Sequence, residues 1–144
     1  MAKVLYTAEA HVTGGRTDGH GATSDGALEV DLRTPPELGG DGSGTNPEQL
    51  FAVGYAACFE GALMAVARRQ KAEVGDVVID SKVMLQAGED RSFTIAAELD
   101  VTLPSVEAED AAELVRAAHA VCPYSNATRG NIDVKLTANG AAVE

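Results

Sequence analysis

Apolar and polar residues alternate toward both ends of this chain and merge into a nearly continuous apolar run in its middle. Val4, Tyr6, Ala8, Ala10 and Val12 alternate with Lys3, Thr7, Glu9 and His11, the period-two pattern of a half-buried strand. Gly14-Gly15 breaks it. Arg16 to Gly26, rich in Gly, Asp, Ser and Thr, reads as a turn or loop. Leu28, Val30 and Leu32 alternate again and predict a second strand, paired with the first as a hairpin. Thr34 to Thr45 holds two prolines and four glycines and reads as an ordered loop, and long loops inside compact domains are often functional.

The middle run predicts a helix. Asn46 suits the N-cap, Pro47 the first helical position, and Gln49 stands three residues after Asn46 at capping-box spacing. The helix extends to about Lys71, with Gly75 just past its end. From Leu50 to Cys58 it is apolar on nearly every side, which predicts burial all round. Ala52, Gly54, Ala56, Ala57 and Gly61 are small and permit another backbone to approach closely, while Arg68, Arg69 and Lys71 mark an exposed end.

Beyond it, Val77, Ile79, Ser81 and Val83 predict a third strand, and Phe93, Ile95, Ala97, Leu99 and Val101 a fourth, with a turn at Gly88-Glu89-Asp90. Ser105 is placed to cap a second helix whose first turns carry Glu107, Glu109 and Asp110. Pro123 stops that helix and leaves Cys122 at its C-terminal end. Ile132, Val134 and Leu136 form a last strand. The order β-β-α-β-β-α-β, with hairpins pairing strands antiparallel, predicts one α+β domain over residues 1–144.

Composition narrows the functions open to such a domain. A chain of 144 residues with 45% hydrophobic residues can bury a core without staples. Its net charge of −11 disfavours nucleic acid and anionic membranes as partners. No signal-peptide pattern is visible at Met1 to Tyr6, and Leu50 to Cys58 is too short to span a bilayer, so the expected location is the cytoplasm. Stable structural disulfides are rare there.

That setting sharpens the question of the two cysteines, Cys58 and Cys122. They are either buried hydrophobes or a redox couple. A nucleophilic cysteine needs nearby positive charge, and Cys58 lies about three turns inside its helix, too far for the helix N-terminus to act. Arg16 is a candidate cation because its loop can fold over a helix, and Glu48 could hold a guanidinium in a bidentate clamp. A zinc site using Cys58, Cys122 and His119, with His11 or His20, has no supporting CxxC or HxxxH spacing.

Two long motifs then resemble one family. Gly44-Thr45-Asn46-Pro47-Glu48-Gln49-Leu50-Phe51, followed by Gly54-Tyr55-Ala56-Ala57-Cys58-Phe59, is similar to the first cysteine motif of the organic hydroperoxide resistance (Ohr) proteins. Val121-Cys122-Pro123-Tyr124-Ser125-Asn126-Ala127-Thr128-Arg129-Gly130-Asn131-Ile132-Asp133-Val134 resembles the second. Gly14-Gly15-Arg16 and Leu38-Gly39-Gly40 fit as well. Within the wider OsmC superfamily, Tyr124 to Asn131 points to the Ohr branch.

The resemblance implies an OsmC/Ohr-like fold, with sheets wrapped around two central helices in an intertwined homodimer. It implies a thiol peroxidase in which Cys58 is peroxidatic, Cys122 resolving, Arg16 activating and Glu48 the carboxylate that orients Arg16. The loop Arg16 to Gly21 is about one residue longer than the family pattern, which makes Arg33 the alternative cation. It further implies that no cofactor or metal is bound and that a lipoyl-carrying protein, or dihydrolipoamide, is the reductant. Leu50, Phe51, Tyr55 and Phe59 are candidates to line a pocket for the organic part of a hydroperoxide. A redox sensor and a non-catalytic ligand binder are the competing functions, and the acidic chain lacks the basic reading helix of a DNA sensor.

Overall fold

The computed structural model describes residues 2–144, which form two compact units, Met1–Leu50 and Phe51–Glu144. The first holds a three-stranded antiparallel sheet of β1 (Ala10–Thr13), β2 (Asp18–Thr23) and β3 (Glu29–Arg33), in that order, and a 3-10 turn at Pro36–Leu38. The helix α1 (Pro47–Arg69) starts at the end of this unit. The second unit adds β4 (Val78–Ala87), β5 (Phe93–Thr102), α2 (Ala108–Val121), α3 (Pro123–Thr128), β6 (Val134–Ala138) and β7 (Ala141–Val143). Its four strands lie in the order β4-β5-β6-β7. The architecture is α+β, as the pattern predicts.

The helix start at Pro47 follows its expected chemistry. Asn46 is buried and its Oδ1 accepts the Gln49 backbone N–H at 2.8 Å, satisfying one of the donors a helix N-terminus leaves open. The Gln49 side chain closes no capping box; it accepts from Thr45 Oγ1 at 2.8 Å. At the far end Lys71 adopts a left-handed φ of 57°, and Ala72 N–H reaches back to the Ala67 carbonyl, so the helix closes before Gly75.

Within Phe51–Glu144, α1 lays Tyr55, Phe59, Leu63, Val66 and Ala67 into a core shared with Leu99, Val101, Leu103, Leu114, Val115, Ala118 and Cys122. Length and apolarity alone would let α1 cross a bilayer, but this buried face makes it the core helix. The expected burial all round does not hold in the single chain. Val53 is 72% exposed, and Ala57, Gly61 and Met64 continue one exposed stripe at helical spacing. The core of one chain covers only the opposite face.

Several strands depart from the periodic reading. The expected strand from Val4 begins only at Ala10, and Val4, Leu5 and Tyr6 are largely exposed, because pairing with β2 runs out where Ser24 N–H meets the Glu9 carbonyl. β2 lies inside the stretch expected to be loop. Its inward positions are Gly19 and Gly21, and a Cβ on either would touch the side chains of Leu32, Val12 or Val30. A strand whose inner residues are glycine carries no apolar alternation. β5 and β6 pair in parallel, not antiparallel, because α2 and α3 form the crossover between them. Ser105 caps nothing: α2 starts after Glu107 with no side-chain cap. Pro123 ends α2 as expected but also opens α3 at its first position. β7, three residues after β6, gives no pattern long enough to read.

Candidate functional site

The two cysteines, 64 positions apart, meet in the second unit. Cys122 Sγ lies 3.7 Å from Cys58 Sγ, and both thiols are free. Cys58 is half-buried on α1, whereas Cys122 is fully buried. Cys122 is the single residue between α2 and α3. Its N–H donates to the Ala118 carbonyl, ending one helix, and its own carbonyl accepts Asn126 N–H, starting the other. A disulfide bond is about 2.05 Å long, so small side-chain rotations would bring the sulfurs to bonding distance.

Burial is the main influence on the Cys58 thiol and pushes it above its ordinary value; the backbone N–H of Tyr124 pulls it down, and neighbouring Cys122 raises it further. The Tyr124 N–H belongs to the first turn of α3, where backbone donors are unpaired within the helix. The motif containing Tyr124 is visible in the sequence, but this donation from main chain is not.

A hydroxyl cluster stands behind the cysteine pair. Tyr55 Oη lies 2.8 Å from Ser125 Oγ and 3.1 Å from Thr128 Oγ1. Ser125 Oγ also lies 2.8 Å from His119 Nδ1. Tyr55 and Ser125 have no exposed surface, and among the described residues no buried side-chain polar atom lacks a partner. Burial, then the Arg129 charge, holds His119 below the usual imidazole value and favours the neutral ring. His119 was weighed above as a zinc ligand; its Nδ1 is engaged by Ser125. Among the described residues no three His, Cys, Asp or Glu side chains cluster to hold a metal.

The four apolar pocket candidates divide. Tyr55 and Phe59 are fully buried core residues, while Leu50 and Phe51 are half-buried. Phe51 packs edge-on to Tyr55 at 5.9 Å between centroids, and the Tyr124 ring lies 5.7 Å from both. Tyr124, which is not among those four candidates, is 38% exposed and lies over Gly54, where a Cβ would come 2.9 Å from its hydroxyl. Small Gly54 therefore admits this aromatic ring one turn before Cys58.

In the first unit Arg16 and Glu48 form the expected clamp, with Arg16 Nη2 donating to Oε1 at 2.9 Å and Nη1 to Oε2 at 3.2 Å. Two parallel bonds fix the guanidinium plane as well as its position. The Arg16 hydrogen bonds hold the Glu48 carboxyl below its usual range. The alternative cation is occupied otherwise: Arg33 Nη1 donates to the carbonyls of Gly19 and Leu32 at 2.9 and 2.8 Å.

The class is thereby defined as a small α+β domain that sets two free thiols side by side between a core helix and a helix joint. Comparison with known proteins gives the particular family. Residues 40–137 match the model of the OsmC-like protein family. The chain is 56% identical over 140 residues to the organic hydroperoxide resistance protein of Xanthomonas axonopodis pv. citri, covering 94% of this chain and 95% of that one. It is 50% identical over 133 residues to the organic hydroperoxide resistance protein OhrB of Bacillus subtilis, covering 92% and 96%. The crystal structure of an organic hydroperoxide resistance protein from Legionella pneumophila superposes with a TM-score of 0.90 at 51% identity, covering 94% of this chain and 98% of that one. The chain belongs to the OsmC-like family, in its organic hydroperoxide resistance branch.

Proposed function

We propose that this protein is a cysteine-based peroxidase that reduces organic hydroperoxides, fatty-acid hydroperoxides included, to alcohols and so defends the cytoplasm against organic peroxide stress. The observation that carries the reading is the 3.7 Å approach of Cys58 and Cys122. The names of the relatives support the substrate class.

The Cys58 thiolate attacks one peroxide oxygen. An S–O bond forms, the O–O bond breaks, and the departing alkoxide takes a proton to become the alcohol. Cys58 is the half-buried member of the pair, as a nucleophile reached from outside must be. Burial alone would hold it protonated, so the reading requires a cation. Arg16, held by Glu48, is assigned to lower the thiol pKa and to stabilise charge developing on the peroxide oxygens. Cys122 then attacks the oxidised Cys58 sulfur. The S–S bond forms, the S–O bond breaks, and water leaves with the Cys122 proton. A dithiol supplies two electrons to reopen the disulfide; the family resemblance makes that dithiol a lipoyl group on a carrier protein. Leu50, Phe51, Tyr55 and Phe59 are assigned to the organic side of the substrate, the two buried rings by backing the pocket wall. The homodimer implied by the resemblance is supported by the exposed α1 stripe of Val53, Ala57, Gly61 and Met64.

The test is steady-state consumption of tert-butyl hydroperoxide and a fatty-acid hydroperoxide with dihydrolipoamide or glutathione. Turnover is expected with the dithiol and is abolished in Cys58→Ser. Cys122→Ser is expected to be oxidised once and then fail to recycle. Steady dithiol-dependent turnover of Cys122→Ser would remove the resolving role, and equal efficiency on hydrogen peroxide would remove the apolar pocket.

A further inference from the structure

The two cysteines stand at matching sequence spacings from one hydrogen-bond chain, buried at Tyr55 and Ser125 and half-buried at His119. Tyr55 precedes Cys58 by three residues, His119 precedes Cys122 by three, and Ser125 follows Cys122 by three. Tyr55 and Cys58 are therefore one turn apart on α1, and His119 and Ser125 flank the joint between α2 and α3. The 2.8 Å contact of Ser125 Oγ with His119 Nδ1 bridges that joint. The 2.8 Å contact of Tyr55 Oη with Ser125 Oγ fastens the joint to α1. Arg129 Nη1 donates to the His119 carbonyl at 2.8 Å and closes the outer side.

Packing alone does not call for these groups. Phe at position 55 and Ala at 125 would fill a core without hydroxyls whose burial has to be compensated. What hydrogen bonds add is direction: they fix rotation and depth, which apolar contacts leave loose. The backbone of Cys122 is set by how α2 and α3 meet, because its N–H belongs to one helix and its carbonyl to the other. Holding the joint against α1 therefore holds the Cys122 sulfur against Cys58.

We propose that Tyr55, Ser125 and His119 are positioning residues for the cysteine pair, their hydrogen-bond chain setting the Cys58–Cys122 separation and thereby the rate of disulfide closure and the ease of its reduction. This rests on the peroxidase reading above. The step affected is the attack of Cys122 on oxidised Cys58, not the attack of Cys58 on peroxide.

The experiment uses the full chain and Tyr55→Phe, Ser125→Ala, His119→Ala and His119→Asn, the last keeping a polar group near the Nδ1 position. One equivalent of tert-butyl hydroperoxide is added, and loss of the Cys58 thiol is followed separately from closure, using a sulfenic-acid trap and mass spectrometry. In the first three variants closure is expected to slow by about tenfold to a hundredfold, the upper figure being the cost of misplacing reacting groups by about 1 Å. In Ser125→Ala and His119→Ala thiol oxidation stays within about twofold of wild type, and His119→Asn recovers most of the closure rate. A merely structural role would lower the melting temperature without separating these two rates. The equilibrium of the disulfide with dithiothreitol, which involves no peroxide, is measured in parallel. Closure rates and equilibria unchanged in the folded variants would overturn the positioning role. A wild type that consumes no peroxide, with variants that still shift the dithiothreitol equilibrium, would sink the peroxidase reading and leave the positioning role standing.

Discussion

At Gly19 a Cβ would stand 1.9 Å from the Gly15 carbonyl oxygen. The turn that carries Arg16 is thus packed directly onto a residue with no side chain, and Gly14 and Gly15 both use positive φ to make it. Gly19→Ala has to push that turn away, taking Arg16 off Glu48. We expect a loss of about 1–3 kcal/mol in denaturant unfolding, the usual cost of an overpacked site. Unchanged stability would mean that the turn yields freely. Arg16→Ala tests the other end of the same arrangement. It is expected to raise the Cys58 pKa and slow the peroxide step, read from the pH dependence of thiol alkylation. With Arg33 engaged by two backbone carbonyls, an unchanged pKa would remove Arg16 from the activating role.

The β2–β3 pair carries an ionic element on its solvent face. His20 Nδ1 lies 2.9 Å from Asp31 and Nε2 3.1 Å from Glu29. A neutral imidazole has one N–H, so bonding to two carboxylates calls for the imidazolium. Asp31, then Glu29, raises the His20 value and His20 lowers that of Asp31. A raised folded value means stabilisation that is full below the unfolded value near 6.5 and lost as pH rises through the higher folded one. The N-terminal sheet should therefore loosen across a window opening at about pH 6.5. NMR titration is expected to place His20 above that value and Asp31→Asn to bring it part of the way back, Glu29 remaining in place. A His20 titration at or below it would dismiss the cross-strand staple. On the fourth strand of the other sheet no such charge is needed, because β7 is secured by its turn: Asn139, at φ 49°, accepts Leu103 N–H at 2.7 Å and donates to the Leu103 carbonyl at 3.0 Å.

On the scale of the whole molecule, the apolar surface left open by one chain has to be accounted for. Val53 is 72% exposed on the helix that carries Cys58, in line with Ala57, Gly61 and Met64, and small residues there allow close approach of a second backbone. A solvent-facing Val→Asp change costs a monomer within about 0.5 kcal/mol, whereas in a helix interface it buries an unpaired carboxylate. Sedimentation is expected to give twice the 14.8 kDa chain mass for the wild type and the single mass for a folded Val53→Asp. A wild type that sediments as a monomer, or a Val53→Asp dimer, would refute this interface.

Local signals account for what the sequence by itself determined. Asn46 and Pro47 start α1, Pro123 ends α2, and the alternation from Phe93 to Val101 makes β5, because caps, proline and period act within a few residues. The two long cysteine motifs placed the chain in its family for a similar reason: each is contiguous. Tertiary structure alone decided the rest. It made a strand of Asp18–Thr23, whose inward glycines take their cover from Val12, Val30 and Leu32. It turned β6 parallel to β5 and chose which face of α1 meets the core. It also brought Tyr55 to Ser125 across 70 positions and Cys58 to Cys122 across 64. Distances of that kind carry no periodic trace in the chain, because they are set by how whole helices pack and not by the residues next to each group.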